Sequence, residues 1–160
     1  MSVNPPPPEL GPLDLRGILG PEHLAGLRAG YDNAAMRGGA THAVVAPFPP
    51  GSASTVAFMA SYVGDDTPHT WLPRERATIA VLASQGGGQD LAIHLYWGLA
   101  VGMEVDELLH MLSTVGVYAG VSRYFGSLKL CRAVFTALAA LPPDKLDSRS
   151  CVGAIVVAVP

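Results

Sequence analysis

A chain of 160 residues is long enough for one domain with a substantial core, and 49% of its residues are hydrophobic while only 14% are charged. A net charge of −3 without a basic stripe excludes nucleic acid as an expected partner, and no apolar run has the length of a membrane span. Globular chains usually carry about a quarter charged residues, so the deficit points to a surface partly hidden in a homo-oligomer.

Residues 1–20 are expected to form an arm. Pro5-Pro6-Pro7-Pro8 favours extended polyproline conformation without internal hydrogen bonds, either mobile or laid on a neighbouring subunit. A single all-helical domain is expected over 21–143, with a tail at 144–160. Its first helix runs from Pro21 to about Arg37, with Leu24, Leu27 and Tyr31 on one stripe and Gly38-Gly39 as its stop. Residues 40–51 contain Pro47, Pro49, Pro50 and Gly51 and read as a loop or extended crossing, with His42 exposed near its start. Ser52 to Val63 is a second helix, capped by Ser52 or Ser54 and ended by Gly64. Asp65-Asp66-Thr67-Pro68-His69 is a solvated turn whose spacing matches no metal motif.

The stretch from Leu72 to Gly120 carries the chemistry. Leu72-Pro73-Arg74-Glu75-Arg76-Ala77 reads as a helix start near residue 73, with proline at the first helical position and an acid in the first turn. Glu75, Ile79 and Leu82 then share one face. Gly86-Gly87-Gly88 separates this helix from another near 89–102. Leu91, Ala92, Ile93, Leu95, Leu99, Ala100 and Val101 leave it almost no face suited to water, so it belongs at the centre or against another subunit. Two such helices would carry one carboxylate, Glu75, and one imidazole, His94, into the same apolar layer. The residues alone favour simpler accounts: Glu75 complementing its helix N-terminus, and His94 paired one turn back with Asp90.

A further helix begins at Glu104 to Asp106 and turns Leu108, Leu109, Leu112 and Val115 inward, with His110 facing the core or a subunit seam. Gly116 and Gly120 interrupt it around Tyr118, whose phenol needs a partner if buried. The last long helix, Val121 to Leu141, aligns Tyr124, Leu128, Cys131, Phe135 and Leu138, with Arg123, Lys129 and Arg132 on its wetter side, and Pro142-Pro143 ends it. A polar bridge, Asp144 to Ser150, leads to the apolar, β-branched tail Cys151 to Val159, expected to pack on the body or on a neighbour. Cys131 and Cys151 have no redox or metal spacing, and the N-terminus lacks a basic region followed by an apolar one. Free thiols and a cytoplasmic location are the expectation.

Taken in order, Pro73-x-Glu75, nineteen residues on to His94, Gly98-x-x-x-Gly102, the acidic start Glu104-Val105-Asp106-Glu107 and Tyr118-Ala119-Gly120 resemble the carboxymuconolactone decarboxylase family. The resemblance covers about residues 55 to 140. It implies the all-α helical bundle shared with alkylhydroperoxidase D proteins, of about six helices, assembled as a trimer or hexamer. Two departures stand out. The Cys-x-x-Cys pair of the peroxidase branch would fall at Gly87 and Asp90, which removes thiol redox chemistry. The family's x-Pro after Tyr-Ala-Gly is replaced by Val121-Ser122, so the next helix enters differently.

The activity so implied is removal of carbon dioxide from a small unsaturated lactone acid without metal or organic cofactor. Electrons left by the departing carboxylate flow into the lactone carbonyl, and the dienolate is protonated on carbon. His94 is assigned as general acid/base, Glu75 as its orienting partner or relay, and Tyr118 as donor to the enolate. Arg74 or Arg76 would anchor the substrate carboxylate, and Trp97 and His110 are assigned to substrate binding. The same pair would equally serve an isomerase, dehydratase or cyclase. A non-catalytic scaffold would instead bury both groups with no accessible space between them.

Overall fold

The computed structural model describes residues 15–31 and 71–159. The arm before Leu15, the crossing at 40–51 with His42, the helix expected from Ser52 to Val63 and the turn containing His69 lie outside the described residues. Every regular element among the described residues is helical: α1 Pro21–Ala29, α2 Trp71–Gln85, α3 Gly88–Ala100, α4 Val105–Ala119, α5 Val121–Ala139 and α6 Ser148–Ala158, with a single 3-10 turn at Pro143–Lys145. The described residues are all-α, as their periodicities require.

The helix with the most apolar composition occupies the middle. α3 packs against α1, α2, α5 and α6, burying Leu91, Ala92, Leu95, Tyr96 and Leu99 completely or nearly so. α2 lies against α3, α4 and α5. Gly98 permits the close approach: a β-carbon there would lie 2.9 Å from the Ile79 side chain and 3.2 Å from that of Met103. The α2–α3 turn passes through Gly86 at φ +81°, a left-handed conformation that glycine adopts without steric cost.

Boundaries differ from expectation in three places. α1 stops at Gly30, whose N–H donates to the Gly26 carbonyl at 2.8 Å, well short of Gly38. Here the chain presses on the 3-10 segment; a β-carbon at Gly30 would sit 2.2 Å from the Leu146 carbonyl oxygen. α2 starts at Trp71, which makes Pro73 its third residue and leaves its first turn without an acid. Proline is tolerated there because first-turn N–H groups have no intrahelical acceptor. The apolar tail is a helix, α6, packed on α5 and α3. Asp147 caps it, its carboxylate accepting the Arg149 and Ser150 N–H groups at 3.0 Å each. The Ser150 hydroxyl, then the Ser150 and Arg149 amides, hold that carboxyl below the usual aspartate range.

Arg28 ties α1 to the end of α3. Its guanidinium donates to Glu104 Oε1 at 2.7 Å and to the Leu99 and Met103 carbonyls at 3.4 and 3.5 Å. A cation is favoured at a helix C-terminus, where carbonyls lack intrahelical partners.

Candidate functional site

α2 and α3 pack against each other out of the Gly86 turn; Glu75 lies eleven residues before that glycine and His94 eight after it. Glu75 stands on the buried stripe Glu75–Ile79–Ala83 of α2, and His94 on the α3 turn opposite. His94 Nδ1 donates to Glu75 Oε2 at 2.8 Å. The two side chains differ in access: Glu75 is 5% exposed, His94 23%. Only the imidazole reaches outward, and its Nε2 has no hydrogen-bond partner among the described residues.

Both simpler accounts of these residues fail against this geometry. Glu75 lies in the second turn of α2, too deep to complement the free N–H groups. The imidazole bonds Glu75 from the facing helix, while Asp90, one turn before it, is exposed.

Trp97, one turn after His94 on α3, meets the imidazole edge-on, with ring centroids 4.6 Å apart and planes at 73°. Arg74, beside Glu75, is buried with its guanidinium over the Trp71 ring, 4.9 Å from the centroid. Arg76 turns to the other side of α2 and pairs with Glu107 on α4. The structure therefore gathers Glu75, His94 and Trp97 at one place, with Arg74 next in sequence to Glu75.

It does not bring Tyr118 or His110 there. The Arg76–Glu107 contact sets the start of α4 beside the start of α2. Tyr118 follows eleven residues after Glu107, about 16 Å further along the axis at 1.5 Å per residue. It is 86% exposed, at the opposite end of the layer from Glu75. Within one chain its phenol does not serve the pair. His110 is also exposed, and its carbonyl accepts the Ser113 and Thr114 hydroxyls within α4. The two departures have different causes: Tyr118 sits at the far end of α4, and His110, one turn from Glu107, lies on its exposed face.

A second buried polar group was not foreseen. On the far side of α3, the Tyr96 hydroxyl donates to Ser148 Oγ at 3.4 Å, and burial raises the Tyr96 pKa well above the ordinary phenol value. Cys151 beside it is pushed up to about 11, also chiefly by burial. Groups held in their neutral forms at this junction serve packing. A shallow cleft between α1 and α4, lined by Arg16, Leu19, Leu24, Glu104, Val105 and Asp106, includes none of the site residues.

No protein-family model, curated protein or solved structure matches the chain. Among the described residues no helix is long and apolar enough to cross a membrane.

Proposed function

We propose that the chain is a carboxymuconolactone decarboxylase-like lyase in which His94 is the general acid/base and Glu75 its positioning partner. The hydrogen bond from Nδ1 to a buried carboxylate is the observation that carries this. With Nδ1–H committed to Glu75, the neutral ring keeps its lone pair on Nε2, the nitrogen not bonded to Glu75. Protonated, the same atom donates.

That is what decarboxylation of a lactone acid needs. As the carboxylate leaves as carbon dioxide, its electron pair passes into the conjugated lactone carbonyl. The resulting dienolate takes a proton on carbon from Nε2–H, and the ring recovers its proton from water. Glu75 keeps the imidazole in one orientation and stabilises its cationic form. The apolar layer around the pair, Ile79, Leu95 and Leu91, thins the solvation of the substrate carboxylate and favours its loss. The reading includes a small-molecule substrate and assembly with further copies of the chain.

The test separates Nε2 from Nδ1. In His94→Asn the amide nitrogen stands near the former Nδ1 position and continues to donate to Glu75, while nothing replaces Nε2. The variant is expected to fold with an unchanged melting temperature and to lose at least about a hundredfold in kcat on unsaturated lactone acids, as general acid/base groups typically contribute. Undiminished carbon dioxide release by folded His94→Asn would eliminate the role. The open Nε2 also suits proton transfer beside a carbonyl without loss of carbon. Product of unchanged mass would assign an isomerase instead.

A further inference from the structure

The indole nitrogen of Trp97 is a buried hydrogen-bond donor with no partner among the described residues. An indole N–H can donate and cannot accept. Left unpaired away from water, such a group destabilises the folded chain, and native interiors rarely retain one. This one lies on the ring that meets His94 edge-on at 4.6 Å, one helical turn along α3, and it belongs to a side chain that is only half-buried.

Resting on the proposed acid/base role of His94, we infer that Trp97 Nε1–H is the donor that holds a ligand oxygen beside that imidazole. The ligand is thereby a molecule with a carbonyl or carboxylate acceptor next to the carbon that exchanges its proton. Three arguments converge. The donor has already lost its water, so an oxygen that reaches it gains a hydrogen bond with no water displaced from the protein side. It belongs to the ring whose centroid lies 4.6 Å from that of the imidazole, so oxygen and carbon of one carbonyl compound can meet two different protein groups. The indole is also neutral and keeps its proton. It therefore stabilises charge growing on an enolate oxygen without competing with His94 for proton transfer. Tyr118, given this task by sequence resemblance, is exposed at the far end of α4; Trp97 occupies the place where the task arises.

The experiment uses a butenolide-acetic acid as probe and, as its partner, the cyclic ether acid of the same ring lacking the carbonyl. Protein labelled with 15N at its tryptophan indoles gives one signal each for Trp71 and Trp97, assigned with Trp97→Phe. Titration with the butenolide acid is expected to move the Trp97 indole proton downfield and to leave that of Trp71 in place, while the ether acid moves neither. Trp97→Phe keeps an aromatic edge against His94 and removes a donor that has no partner among the described residues. It is expected to fold and to bind the butenolide acid about tenfold more weakly, the worth of one neutral hydrogen bond, with unchanged affinity for the ether acid. An unmoved Trp97 signal at saturating butenolide acid, equal affinities in Trp97→Phe and the parent, or no binding of the probe overturns the inference. The two readings separate cleanly. Binding with the Trp97 shift but no turnover leaves Trp97 standing and removes the decarboxylase, whereas turnover lost in His94→Asn with full affinity in Trp97→Phe does the reverse.

Discussion

Titratable side chains in this fold are put to opposite uses by what surrounds them. His94 and Glu75 meet across two helices with one ring atom left open, whereas the thiols are closed off. Burial pushes Cys131 up to about 12 and Cys151 up to about 11, and both are fully buried. Since the thiolate is the reacting form, neither is expected to react with a water-soluble disulfide reagent in the folded protein at pH 8; both should react at once in denaturant. The sign of the pH effect follows. An unfolded chain releases these protons near pH 8.5 and the folded chain only well above, so their contribution to stability is intact below that value and declines as the medium becomes more alkaline. A melting temperature that rises between pH 8 and pH 10 would contradict the assignment. The Glu75–His94 pair was legible only through the order of features that resembles a known family, because the residues alone favoured Asp90, one turn back, as the partner of His94. The burial of Trp97 Nε1 was not, because a tryptophan on an apolar helix declares nothing about where its nitrogen ends.

At the scale of elements, sequence legibility followed the strength of local signals. α3, α4 and α5 were readable from their apolar stripes, and the turn at Gly120, φ +102°, from the glycine itself. α6 was readable only in hindsight. Its valines and isoleucine suit a strand as well as a helix, and the deciding device is the Asp147 cap. α1 shows the converse, a boundary set by distant packing. Gly38-Gly39 is the stronger local stop, yet the helix ends at Gly30, where the Leu146 carbonyl crosses. That crossing gives a prediction. Gly30→Ala forces a β-carbon against a backbone oxygen that no rotamer change can remove. It is expected to cost about 1–3 kcal/mol, the usual range for overpacking. Gly26→Ala meets only the end of the flexible Leu146 side chain and, with alanine the better helix former, is expected to cost less. Chemical denaturation of the two variants orders them; equal stability would show that the α1–Leu146 contact yields freely.

For the whole molecule the question is what covers its apolar outside. Charge is scarce, 14% of residues, and of the seven exposed large apolar side chains among the described residues four lie together, while Val81, Val156 and Val157 stand elsewhere on α2 and α6. Val117 at 78%, Tyr118 at 86%, Val121 at 63% and Phe125 at 50% exposure follow one another around the α4–α5 corner. Val121 and Phe125 are four residues apart on one face of α5, and Arg123 between them turns away to lie over Gly86. Monomeric soluble proteins rarely leave so continuous an apolar surface to water. A second copy of the chain is the occupant we propose, because it brings the same uncharged corner and a self-complementary contact closes the surface on both partners at once. Tyr118 would then lie in a seam between copies, which gives its phenol a setting that one chain alone withholds. The expected mass in light scattering is a multiple of 16.6 kDa. Val121→Glu combined with Phe125→Glu places like charges across that seam and should return the protein to single chains with its helical content intact. A parent protein of 16.6 kDa at every concentration, or a double variant that stays assembled, would show that this corner faces water in solution and that the scarcity of charge has another origin.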